Sequence, residues 1–190
     1  MNGCTNLKRG LAIGALAASA LTGSGLVNAA TQGTVGNSST GTVDVSILVP
    51  NLVLVNNLDD VSLTYAPGGG DVVTSESFCI WATPGTLYTL SVSSASPTGT
   101  ATFEAVGGGG SSVNYSVDFD DQIAGATWDP VVEGALLDNA GAGYAGANGA
   151  TPGCVSDNAR LRISAAESGN LDSADADVYV DTLTLLVEPF

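Results

Sequence analysis

What most constrains this chain is the rhythm with which its apolar segments are cut. Pro67-Gly68-Gly69-Gly70, Thr83-Pro84-Gly85, Ser96-Pro97-Thr98-Gly99 and Gly107 to Gly110 break the sequence at short intervals, with Asn56-Asn57 as a further turn signal. Glycine and proline in such clusters end helices and set turns, so the pieces between them are too short for a helical architecture. Those pieces carry β-branched residues in alternation. In residues 42–49, Val43, Val45, Ile47 and Val49 occupy one face, with Thr42, Asp44 and Ser46 on the other. This period of two predicts a strand with one buried face, closed by Pro50. Further strands are expected over residues 52–55, 61–65, 77–82, 87–93, 101–106, 113–119, 159–165 and 178–187, and a helical turn only over 131–137. With no alternation of strand and helix, the expected fold class is all-β, an antiparallel sandwich of two sheets.

Domain organisation follows from the ends. Lys8 and Arg9 precede an uncharged stretch rich in Ala and Leu that finishes in Val27-Asn28-Ala29, the pattern of a secretory signal peptide cleaved after Ala29. The stretch is interrupted by Gly14, Ser19, Thr22, Gly23, Ser24 and Gly25, which leaves too little apolar length to span a bilayer. Residues 1–29 are therefore assigned to the signal, 30–49 to a flexible N-terminus and the alternating strand, and 50–190 to the sandwich domain. Processing leaves about 160 residues, the size of one domain. It also removes Cys4, so Cys79 and Cys154 are the two cysteines of the exported protein. An oxidising compartment favours their pairing. That bond closes a loop of about 76 residues, worth on the order of 4 kcal/mol in the chain-entropy account.

Charge excludes whole classes of function. The sequence has 19 acidic residues against 4 basic ones, and two of the basic ones lie in the signal. A surface this negative repels nucleic acid and anionic lipid, and Arg160 and Arg162 alone make no phosphate-binding patch. The chain has no histidine, which removes the usual general base and the commonest metal ligand. Catalysis would rest on carboxylates, of which Asp59-Asp60, Asp118-Asp120-Asp121 and Asp172-Asp175-Asp177-Asp181 are the clusters. Their spacing carries no catalytic specificity, and the chain is read as a non-enzyme without a cofactor. The same clusters, Asp118 to Asp121 above all, have the oxygen chemistry of a calcium site but lack the glycine and terminal Glu of the helix-loop-helix type; the plainer reading is solvated strand ends that discourage edge-to-edge aggregation, and no metal site is assigned. Trp81, beside Cys79, is expected in the core, and Trp128 at the surface. Residues 138–153, nearly all Gly, Ala and Asn around Tyr144, are expected to form a long mobile surface loop. Gly107 to Gly110 is a spacer, because no Lys-Ser or Lys-Thr helix start follows it. Asn37-Ser38-Ser39 and Asn114-Tyr115-Ser116 match the glycosylation pattern, which matters only where the source glycosylates.

The order of features carries a resemblance. The signal, the alternating strand, a cysteine-bearing strand running into Gly85-Thr86-Leu87-Tyr88-Thr89-Leu90-Ser91-Val92, and a final Tyr179-Val180-Asp181-Thr182-Leu183-Thr184-Leu185 resemble the spore coat protein U type of fimbrial subunit, one of the chaperone-usher pilins. The resembling stretches are residues 40–49, 78–92, 113–120 and 179–189. Two departures stand out: Asp175-Ala176-Asp177-Val178 precedes the final Tyr where small residues including Gly are usual, and the cysteines join distant segments rather than near ones. The resemblance implies an immunoglobulin-like sandwich that is incomplete and is completed by a donor strand from a neighbouring subunit. Val43, Val45, Ile47 and Val49 have the spacing such a donor needs, and Tyr179, Leu183, Leu185 and Val187 mark the C-terminal strand. It also implies as partners copies of this or related subunits, a periplasmic chaperone and an outer-membrane usher, with export through the periplasm to a surface fimbria that serves adhesion or biofilm formation. The alternative is a secreted, self-complete β-sandwich binding module or surface-layer protein, in which the N-terminal strand pairs within its own chain.

Overall fold

A computed structural model describes residues 30–96, 102–123, 127–149 and 151–190; the expected signal peptide lies outside the described residues. The chain divides into two units between Leu48 and Val49. In the first, Thr31 and Thr42 exchange backbone hydrogen bonds of 3.0 and 2.9 Å, and every residue from Ala30 to Leu48 is exposed.

The second unit is an all-β antiparallel sandwich. Its strands are β1 (Val53–Asn56), β2 (Val72–Ala82), β3 (Leu87–Ser94), β4 (Phe103–Gly107), β5 (Ser112–Asp120), β6 (Asp129–Val131), β7 (Leu136–Leu137), β8 (Tyr144–Ala145), β9 (Ala159–Ala165), β10 (Tyr179–Val180) and β11 (Leu183–Pro189). The larger sheet runs β1-β2-β9-β5-β4-β10 with β6 also on β5, and the smaller runs β11-β3-β7 with β8 also on β3. Alternation puts Phe78 and Ile80 of β2, Val117 and Phe119 of β5, and Leu161 and Ile163 of β9 inward from one sheet. Tyr88, Leu90 and Val92 of β3 meet them from the other.

β2 changes partners halfway. Its first part pairs with β9 as far as Phe78↔Ala159, and residues from Cys79 to Ala82 pair with β1. Beyond the end of β9 the Asn158 side chain continues the ladder, accepting from the Ile80 amide at 2.8 Å and donating to the Ile80 carbonyl at 3.0 Å. Ala147 takes the next step by bonding Ile80 and Ala82. The Cys79–Cys154 disulfide, with Cα atoms 5.9 Å apart, fastens this join. The low-complexity segment is thereby tied along β2 instead of looping free.

That is the first correction to the sequence reading. Tyr144 is a core residue, 2% exposed, and not part of a mobile surface loop. Its ring meets Phe119 edge-on at 5.2 Å and Tyr88 at 5.6 Å, and its hydroxyl donates to Asp129 at 2.9 Å. One large aromatic can anchor a run of small residues because it alone supplies the area to bury. Residues 61–65 form no strand. Leu63 packs on the core, while Glu167 accepts from the Tyr65 hydroxyl and from the amides of Gly68 and Gly70, which folds the segment into a capped loop. Residues 131–137 hold the end of β6, a turn and β7, with no helical turn. The expected final strand over 178–187 is two strands, β10 on the larger sheet and β11 on the smaller. β2 begins earlier than its apolar pattern suggests, because Val72 to Ser77 is held by the β9 ladder and not by burial. Trp128 is half-buried, for a reason that comes from the acidic cluster beside it.

Asp118 and Asp120 of β5 lie directly opposite Arg162 and Arg160 of β9, at 2.9 and 2.7 Å. The Trp128 ring lies over both guanidinium groups, 4.6 Å from Arg162 and 4.4 Å from Arg160. Charges are thus neutralised and covered across the outer face of the larger sheet. Asp120 is almost wholly buried, whereas Asp118 keeps some exposure. Removing a partner from a buried charge costs about 3–5 kcal/mol, while a surface pair contributes about 0–1 kcal/mol. Arg160→Ala is therefore expected to cost about 3 kcal/mol in urea unfolding, and Arg162→Ala clearly less.

Candidate functional site: an open strand edge

The site is an edge of the smaller sheet. β11 pairs with β3 in the register Leu183↔Ser94 to Pro189↔Tyr88 and has no strand on its other side among the described residues. The bonds just beyond each end, Ala95 N–H to the Thr182 carbonyl and Phe190 N–H to the Leu87 carbonyl, both at 2.9 Å, set the phase of the ladder. In an antiparallel pair, alternate residues direct both backbone groups to the partner. Thr182, Thr184, Leu186, Glu188 and Phe190 thus point theirs toward β3. Leu183, Leu185 and Val187 present their N–H and C=O groups to the open side, while their side chains pack, half-buried, against the core.

β1, the edge of the facing sheet, approaches β11 along the same seam. Val53 and Val55 of β1 and Leu63 of the neighbouring loop are likewise only partly buried against the core. The half-buried apolar residues gather where β1 and β11 leave the sandwich unclosed, giving a strip that is apolar at its base and lined with unpaired backbone groups along one rim.

Polar anchors fix the ends of β11. At its start Asp181 accepts from Ser94 at 2.6 Å, from the Thr182 amide at 2.7 Å and from the Tyr115 hydroxyl. Burial, then this carboxylate, pushes the Tyr115 phenol well above its usual range. Upstream, Asp177 accepts from Val178 and Gly109 amides, which holds its carboxyl below the usual range and ties the Gly107 to Gly110 turn to β10. Across the seam, the residues ahead of β1 are held to the β2–β3 turn: Leu52 and Thr83 bond mutually and Thr86 donates to Asn51.

The four ribbon residues are all bare. Val43, Val45, Ile47 and Val49 are 74, 78, 84 and 67% exposed, and residues 43–49 form no strand. The expected buried face is absent from the single chain, since a lone strand has no hydrogen-bonding partner and gains nothing until an edge receives it. Of the C-terminal residues, the structure gathers Leu183, Leu185 and Val187 on β11, while Tyr179 lies on β10, bonded to the Asp175 carbonyl at 2.9 Å. Val53, Val55 and Leu63 were not among the sequence-derived site residues; half-burial beside an open edge leaves no mark in a sequence. Of the acidic clusters, Asp118 and Asp120 are arginine partners and Asp177 and Asp181 are turn anchors, and among the described residues no three potential metal ligands come together. Asp121 is held above the usual carboxylate range by burial and then by the charge of Asp120. No helix among the described residues is long and apolar enough to cross a membrane.

No family model matches the sequence, and no curated protein does. Among solved structures, the chain is similar in fold to a chain from a chaperone–tip adhesin complex of CFA/I fimbriae, with a TM-score of 0.50 and 13% identity. The likeness covers 74% of this chain and 41% of that one, so this protein spans less than half the length of its structural neighbour.

Two measurements check the site. In the isolated protein, the amides of Leu183, Leu185 and Val187 are expected to exchange with deuterium at least tenfold faster than those of Thr184, Leu186 and Glu188. Because the Asp177 value is depressed in the folded state, its anchoring is complete above the ordinary carboxylate value of about 3.9 and is lost as pH falls through its lower folded value. The Gly109 and Val178 amide resonances should therefore titrate together with a midpoint below that of a free aspartate.

Proposed function

We propose that this protein is a structural subunit of a bacterial surface fimbria, joined to its neighbours by donor-strand exchange and serving adhesion or biofilm formation. The observation that carries the reading is the presence, in one chain, of an open edge strand and an exposed alternating apolar run. β11 offers three backbone positions without a strand partner among the described residues, at half-buried Leu183, Leu185 and Val187, and residues 43–49 offer an exposed run of alternating apolar side chains.

An incoming ribbon adds a strand to β11, meets its outward N–H and C=O groups, and sets Val43, Val45, Ile47 and Val49 into the seam beside β1. Full burial of four such side chains contributes roughly 6–12 kcal/mol before the cost of ordering the ribbon. The similarity to a fimbrial chaperone–tip adhesin structure supports the fold side of this reading. Under it, a periplasmic chaperone covers the open edge before assembly, an outer-membrane usher exports the subunit, and the spore coat protein U type is the nearest description of the subunit. The role is architectural, with no catalytic step and no cofactor.

Val45→Asp or Ile47→Asp in the full chain is expected to abolish filaments and leave discrete subunits, with the ribbon-free fold unaltered. A peptide of residues 42–50 added to a chain lacking residues 30–49 should raise its melting temperature by several degrees, and the Ile47→Asp peptide should not. Filaments that persist in both variants, or a truncated chain that ignores the peptide, would count against donor-strand joining and favour a self-complete module.

A further inference from the structure

Two side chains of β2 are buried on the outer side of the larger sheet. Alternation sends Phe78 and Ile80 into the core, so Cys79 and Trp81 project from the opposite face, yet they are 0% and 5% exposed. Their cover is the segment that runs from β8 to Cys154. Gly146 lies so close to β2 that a Cβ there would stand 2.8 Å from the Cβ of Ala82, Ala147 bridges to Trp81, and Gly149 passes beside the indole nitrogen. The bond from Cys154 to Cys79 pins the far end. The indole Nε1 is buried and meets no hydrogen-bond partner among the described residues, so the ring acts through packing alone.

β1 is what that packing supports. Leu54 stands directly opposite Trp81, and Asn56 opposite Cys79, at the spacing of about 4.5–5.5 Å between Cβ atoms that brings such pairs into contact. Val53 and Val55 point the other way and form a rim of the seam, where they are only partly buried. A four-residue edge strand with one ladder partner has little else to hold it. Its ends are tied by Leu52 to Thr83 and by Asn57 to Asp157; between them, Leu54 against Trp81 is the apolar support on the outer face. We propose that Trp81 is a positioning residue for the seam: clamped beneath the segment that Cys154 fastens, it braces β1 through Leu54 and holds Val53 and Val55 where the ribbon of a second copy packs. The inference rests on donor-strand joining and adds to it what shapes one wall of the acceptor.

The test uses the full exported chain with Val45→Asp and Ile47→Asp, which keeps its own ribbon out of the seam, and a fluorescein-labelled peptide of residues 42–50 titrated by anisotropy well below each variant's melting temperature. Trp81→Ala is expected to weaken binding about tenfold or more, whereas Trp81→Phe, which refills most of the space and forfeits no hydrogen bond, stays within about twofold. Leu54→Ala, at a position 39% exposed, should lose affinity severalfold with little change in melting temperature, and it decides the matter should Trp81→Ala fail to fold. Arg160→Ala lowers stability at β5 and β9, away from the seam, and should leave the affinity unchanged, which separates positioning from general loosening. A Trp81→Ala or Leu54→Ala chain that binds the peptide as tightly as its parent, or an Arg160→Ala chain weakened as much as Trp81→Ala, overturns the proposal. A parent chain that ignores the peptide overturns donor-strand joining itself, a failure distinct from these.

Discussion

The unpaired backbone of β11 is the constraint on which the rest of the structure turns. A strand whose inward side chains belong to the core cannot leave the sheet, yet Leu183, Leu185 and Val187 direct about half of the strand's hydrogen-bonding capacity to a side with no strand among the described residues. Water can meet those groups only while the apolar strip beneath them stays wet, and that strip is where Val53, Val55 and Leu63 are incompletely covered. Closing the seam and pairing the edge are one event, which one added strand accomplishes.

Holding such an edge in shape requires support from outside the core, and the acidic residues supply it. Asp181 gathers Ser94, Tyr115 and the Thr182 amide at the start of β11. Asp177 ties β10 to the glycine turn, Glu167 caps the loop behind Leu63, and Asp118 and Asp120 lock β5 to β9 through two arginines under Trp128. A carboxylate accepts several hydrogen bonds at once, which suits it to loops rich in glycine whose amides have no ladder to join. Part of the chain's acidity is thus structural.

Strict alternation made some of this legible in advance. Ala159 to Ala165 alternates buried and half-buried residues over the span its sequence pattern defines, and Cys79 and Cys154 are bonded as the sequence reading expected. Elements governed by partners and not by their own pattern were hidden. β2 extends through Val72 to Ser77 because β9 lies beside it; residues 61–65 have strand composition but are folded onto Glu167; and Tyr144 sits among glycines and alanines that give no period. The candidate site was half visible. The alternation of Val43 to Val49 and of Leu183 to Val187 can be read from sequence, but that β11 is an edge, and that β1 borders the seam, are properties of sheet order.

The most direct measurement is a cysteine cross-linking scan on the assembled protein, with Leu185→Cys on β11 combined in turn with cysteine at each ribbon position from Val43 to Ile47. Inward side chains on adjacent strands stand about 4.5–5.5 Å apart at the Cβ atoms, within disulfide reach. Donor-strand joining predicts a ladder of covalent multimers for one of Val43, Val45 or Ile47 and none for Asp44 or Ser46, whose side chains face away. Cross-links confined to monomers, or a ladder indifferent to this alternation, would contradict it.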